Sequence, residues 1–119
     1  MIYENCVIQK INLVKGEDKE IFVIIENEET QEPLDISTAS EIKAIFQGAS
    51  NTLITRKLSL AEIVIVSGIG GKFKIKLTET NTASFRAGND LDFETEIQIG
   101  TNTYIIQFLK SLTVKERIS

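Results

Sequence analysis

The sequence predicts an all-β chain: an antiparallel β-sandwich of about seven to eight short strands, with one short helix near residues 79–86. Three observations carry this. Ile, Val and Thr make up about 30% of the 119 residues, and their branched β-carbons favour extended backbone. Lys72–Leu77 and Leu91–Ile99 alternate apolar and polar residues strictly, as a half-buried strand does. Turn signals recur at roughly 8–12-residue intervals, the spacing of sandwiches and barrels. The length fits a single domain over residues 1–119. A charged fraction of 25% with 42% hydrophobic residues argues against disorder.

The first expected strand runs from Cys6 to Val14. Its apolar parity switches, with Cys6 and Ile8 on one face and Ile11 and Leu13 on the other. A bulge produces such a switch, and so does a strand crossing between two sheets. Lys15 to Asp18 is a turn. Lys19 to Glu26 is a strand apolar on both faces, and Asn27 to Pro33 is a polar loop. Leu34 to Ala39 reads as an irregular or single-turn segment. Glu41 to Gln47 is a strand with Ile42, Ala44 and Phe46 inward, followed by a turn at Gly48–Asn51. Strands are expected at Leu53–Leu60 and Ile63–Val66, and Ser67–Gly71 is a loop.

Lys72 to Leu77 places Phe73, Ile75 and Leu77 inward and Lys72, Lys74 and Lys76 outward. At Thr78 the alternation stops. Thr78 suits a helix N-cap, Ala83 and Phe85 are expected to face the core, and Gly88 is a stop. Leu91 to Ile99 turns Phe93, Thr95 and Ile97 inward. Thr103 to Lys115 is the last strand. Lys110 shares the parity of Tyr104, Ile106 and Phe108, so a bulge is expected near Leu109–Ser111. A helical turn before the second-last long strand suits the sheet-to-sheet crossover of an immunoglobulin-like sandwich. The lack of a Cys pair and of Trp argues against an antibody-type domain.

Composition removes much chemistry. There is no His, so imidazole bases and Ser-His-Asp or Cys-His activation are excluded. The single Cys, Cys6, forms no internal disulfide and reads as a buried, inert thiol. A net charge of −4 disfavours nucleic acid, which calls for a concentrated basic patch. The longest apolar run, Ile21 to Ile25, is far short of the roughly 20 residues that span a bilayer. The first residues lack a secretory pattern, so a cytosolic site of synthesis and no membrane partner are expected. No cofactor, metal or catalytic residue is assigned.

Three clusters carry alternative chemistry. Asp92, Glu94 and Glu96 could bind a hard cation or act as an acid/base pair in a small hydrolase. Carboxylates two apart on a strand do not converge, however, so a solvated face with Lys43 as a cross-strand neighbour is preferred. Lys72, Lys74 and Lys76 could meet an anionic partner; the polar face of an amphipathic strand, or edge protection, is preferred. If these two rows belong to different sheets they do not pair with each other. Gly68-Ile69-Gly70-Gly71-Lys72 lacks the following Ser or Thr of a phosphate loop and reads as a turn. The remaining oddity is apolar residues on faces that should be wet. Phe22, Ile24, Ile45, Ile105 and Leu109 fall on outward parities; they are assigned as partner contacts, with cover by the chain's own loop or N-terminal segment as the alternative.

The stretch Gly71–Ala83, Ala87-Gly88, Leu91–Ile97, Gly100, Ile106-Gln107-Phe108 and Leu112–Lys115 resembles small phage-encoded proteins. Pro33-Leu34-Asp35-Ile36-Ser37-Thr38-Ala39 and Asn12–Gly16 extend the likeness. The pattern is similar to the N-terminal domain of phage baseplate upper proteins. That resemblance implies an immunoglobulin-like sandwich with a structural role in a virion. The expected function is a non-enzymatic baseplate, tail-adaptor or decoration-type subunit of a phage or prophage particle. Its partners would be other virion proteins or further copies of itself, met in the host cytoplasm and then in the virion. The alternative is a receptor- or carbohydrate-binding module of a fibre, for which Tyr3 and Tyr104 are the amphipathic rings available.

Overall fold

A computed structural model of the chain describes residues 3–6, 11–14, 16–27, 30–47, 53–85 and 90–115. Nine strands occur among them: β1 (Tyr3–Cys6), β2 (Ile11–Val14), β3 (Lys19–Asn27), β4 (Glu41–Gln47), β5 (Leu53–Lys57), β6 (Ile63–Ser67), β7 (Lys72–Leu77), β8 (Asp90–Ile99) and β9 (Asn102–Lys115). They form two sheets, ordered β1-β3-β7-β6 and β2-β9-β8-β4-β5. All pairs are antiparallel except β2–β9, which is parallel. In the lettering of sandwich strands the first sheet is A-B-E-D. The second holds C, F and G, with an added strand at each margin. That order defines an immunoglobulin-like sandwich.

The parity switch in the first expected strand has a clear cause. β1 belongs to one sheet and β2 to the other, so the chain changes sheets between Cys6 and Ile11. This split accounts for the ninth strand. The expected bulge in the last strand is also present. Leu91 faces Leu112 and Phe93 faces Phe108, so Leu109, Lys110 and Ser111 stand across from Asp92 alone. The strand expected at Leu53–Leu60 ends earlier, at Lys57, and a 3₁₀ turn, Leu58–Leu60, replaces its second half. Glu41 supports that turn. Its carboxylate accepts the Ser59 N–H at 3.0 Å and the Ser59 hydroxyl at 2.5 Å, as well as the Ile42 N–H.

These groups also set the Glu41 titration. Burial pushes its pKa up, but the Ser59 and Ile42 hydrogen bonds and the Lys57 charge outweigh burial and leave it below the ordinary 4.5. A carboxyl depressed in the folded state stabilises above its unfolded pKa and loses that contribution as pH falls through the folded value. The melting-temperature advantage of wild type over Glu41→Gln should therefore be present at neutral pH and shrink as pH drops below about 4.5. Melting curves at several pH values measure this. A gap that stays constant into acid would show that the carboxylate charge is not what Ser59 recognises.

The helix α1 (Glu79–Ala83) is shorter than expected and opens on a capping box between Thr78 and Asn81. Ala83 is exposed, a correction to its inward assignment, and Thr82 is the buried helix residue. The Thr82 hydroxyl donates to the Glu17 carbonyl at 2.7 Å and accepts the Gly16 N–H at 3.1 Å. A polar side chain thus fills an inward position because the β2–β3 turn brings unpaired backbone groups there. Phe85, just past the helix, is fully buried as expected. Gly88 lies outside the described residues.

The core is one cluster fed by both sheets and by Leu34 and Ile36 of the β3–β4 connection. Its centre is a cross-strand aromatic row. Phe93 stacks on Phe108 at 4.5 Å and on Phe46 at 5.0 Å, and Phe46 meets Phe85 at 5.9 Å. A polar clasp ties the sheets together at the β5–β6 side. Arg56 of β5 donates through Nε to the Lys76 carbonyl of β7 at 2.8 Å and ion-pairs with Glu62 at 2.9 Å. The Glu62 backbone bonds both Lys57 and Lys76.

Candidate functional site

Alternation in β3 and β7 buries Ile21, Val23, Ile25, Phe73, Ile75 and Leu77, which sends the intervening residues to the outer face of the first sheet. Registers set their order. Phe22 stands opposite Lys74, which stands opposite Val64, and Ile24 stands opposite Lys72. Phe22 is 45% exposed, Ile24 is half-buried, and Val66 at the bulge in β6 is 47% exposed. Lys74 ion-pairs with Glu20 at 3.0 Å. β7 lies between β3 and β6, so its lysines do not guard an edge. They are the polar side chains of an inner amphipathic strand. Beside Phe22 an open hollow of about 690 Å³ runs between Asp18, Lys19, Lys76 and Thr78.

The outer face of the second sheet is built the same way, around a row of carboxylates on β8. Glu96 stands between Lys43 and Ile105, and Glu94 between Ile45 and Gln107. Gln107 donates to Glu94 at 3.5 Å. Ile105 is 59% exposed and Ile45 half-buried. Lys43 is thus the cross-strand neighbour of Glu96, as the spacing suggested. Asp92, Glu94 and Glu96 are strung along β8 and do not converge. Among the described residues no group of three or more metal-type ligands comes together.

The five residues assigned as partner contacts therefore do not form one surface. Phe22 and Ile24 lie on one sheet and Ile45 and Ile105 on the other, on opposite sides of the sandwich. Leu109 lies in the β9 bulge, and its side chain is outside the described residues. So are the side chains of Cys6 and Tyr3. Sequence reasoning missed the exposed Leu53, Leu60, Val66 and Ile69. Their apolar character was visible, but β5 and β6 have no clean alternation from which to read a face for Leu53 and Val66, and Leu60 and Ile69 lie in turns, where parity assigns nothing. Tyr104 is half-buried and packs against the core. The Gly68–Lys72 segment is the β6–β7 turn; Gly68 accepts the Ile36 N–H, and Gly70 donates to the Ser67 hydroxyl. No helix among the described residues is long and apolar enough to cross a membrane.

Fold and faces together define an immunoglobulin-like sandwich with apolar and charged residues on both outer faces. No protein-family model matches the chain. No curated protein matches it either. Among solved structures, the crystal structure of the RIG-5 IG1 homodimer is similar over 99% of this chain and 100% of that chain, at a TM-score of 0.49 and 7% identity. The fold assignment stands on the strand order itself.

Proposed function

We propose that this chain is a non-enzymatic structural subunit of a phage or prophage particle, of baseplate, tail-adaptor or decoration type, acting through protein–protein assembly. The observation that carries the assembly part is the presence of large exposed apolar side chains, Phe22 and Ile105, on the outward faces of both sheets. Each sits beside a row of charges of one sign. Contiguous apolar patches on the surface of a folded domain mark interaction sites, and Phe22 stands beside half-buried Ile24 on the same outer face. The phage setting is supported by the likeness of the Gly71–Lys115 pattern to baseplate upper proteins. The glycan-binding alternative is less well supported, because the Tyr104 ring packs against the core and does not form an open stacking platform.

The test is quantitative mass spectrometry of particles released by the strain that carries the gene. The chain is expected in purified particles at a fixed ratio to the major capsid protein. A small multiple of three or six copies would assign it to a connector, baseplate or fibre, and hundreds of copies to a lattice. Absence from intact particles would overturn the reading.

A further inference from the structure

We propose that copies of this chain stack on one another heterologously, the β7 face of one docking on the β8 face of the next, lysine row against carboxylate row. This rests on the assembly reading above and adds to it the partner and the geometry.

The two faces complement each other in three respects. The first is charge. Lys72, Lys74 and Lys76 line β7, and Asp92, Glu94 and Glu96 line β8. Glu20 engages Lys74, whereas Lys72 and Lys76 have no ion-pair partner among the described residues. Glu20 and Glu26 on β3, and Lys43 opposite Glu96 on β4, carry the opposite sign beside each row, so the complementarity lies between the β7 and β8 rows themselves and not between whole faces. The second is pitch. Both rows take every second residue of a strand, so charges repeat at the same interval of about 6.6–6.8 Å. Rows of equal pitch and opposite sign can pair along their whole length. The third is the apolar setting. Phe22 and Val64 bracket Lys74 in register, and Ile45 and Ile105 bracket the β8 row on its two neighbouring strands. Burying these side chains drives association, and the charge rows fix its register and exclude the like-charged alternatives.

Symmetry sets the outcome. Lysine row laid on lysine row is repulsive, as is carboxylate row on carboxylate row, so a two-fold dimer that superposes either row on its own copy is disfavoured. The contact uses two different surfaces on opposite sides of one sandwich. Each added copy therefore offers a fresh face, which generates a ring or an open filament.

The experiment is sedimentation velocity of the full chain over a range of concentrations and salt. It compares wild type, Lys72→Glu/Lys76→Glu, Glu94→Lys/Glu96→Lys, and a four-site variant carrying all of these changes. Thermal melts verify folding. Wild type is expected to form concentration-dependent oligomers at low ionic strength that dissociate as salt rises. Each two-site variant should associate more than about tenfold more weakly. The four-site variant should recover association, because the reversed rows again oppose each other. No partner other than a second copy of the chain would be matched by that reversal. A wild type that stays monomeric, oligomers indifferent to salt, or a folded four-site variant that stays monomeric would each overturn the proposal. Should a variant fail to fold, the wild-type salt series decides alone. A chain present in particles but monomeric when purified would sink the stacking and leave the particle reading standing. Salt-sensitive oligomers of a chain absent from particles would do the reverse.

Discussion

Replacing Gly71 by alanine is expected to lower the unfolding free energy by more than about 3 kcal/mol, near the upper end of what point substitutions cost. Two effects add. Gly71 has a φ of +65, where a Cβ costs roughly 1–2 kcal/mol. The added Cβ would also lie 2.7 Å from the Ile25 carbonyl oxygen and 2.7 Å from that of Leu34. Both neighbours are backbone and cannot rotate away. They are also bonded, since Ile25 donates to the Gly71 carbonyl and Leu34 donates to that of Ile25. Relieving the clash would pull the β3–β4 connection off the sheet and lift Leu34 out of the core. Gly100 supplies the control. Its φ is +59, and nothing lies within 4 Å of its added Cβ. Gly100→Ala should therefore cost only the conformational part, about 1–2 kcal/mol. Urea denaturation of both variants measures the difference, and equal losses would mean that the backbone around Gly71 has room to move.

Truncating Phe93 to alanine should cost about 3–5 kcal/mol, as buried phenylalanine deletions do. Phe93 is the middle ring of the row across β4, β8 and β9, with Phe46 on one side and Phe108 on the other. Its removal leaves a cavity and ends both stacked contacts, each contributing about 0.5–1.5 kcal/mol beyond area burial. A domain of this size has only about 5–15 kcal/mol in total, so the variant should lose a large fraction of its stability. Phe22→Ala, on the exposed face, should lie within about 1 kcal/mol of wild type in the same assay. A Phe93 loss no larger than that of Phe22 would contradict the packed row.

The strands that alternate strictly are legible in the sequence. In β4, β7 and β8, parity correctly assigned Ile42, Phe46, Phe73, Ile75, Phe93 and Ile97 to the core. The β9 bulge was legible because Lys110 could not share a face with Phe108. The helix end was not, because the burial of Thr82 depends on two turn carbonyl and amide groups more than sixty residues away. The site was half legible. Parity identified Phe22, Ile24, Ile45 and Ile105 as outward, but parity is a property of one strand. Which sheet each strand joins depends on pairings between distant segments. Parity alone therefore does not show that these residues divide between two faces.

The parallel pairing of β2 with β9 joins segments about a hundred residues apart. On a ribosome adding about 5–20 residues per second, that interval is roughly 5–20 s. Throughout it β2 has been made and has no strand to pair with, and β8, once made near its end, waits with one side uncovered. Closure of the second sheet is thus postponed until β9 emerges, and topologies rich in such distant pairings fold slowly, in about milliseconds to seconds. A nascent chain of this design depends on a crowded cell leaving those two strands alone until β9 emerges.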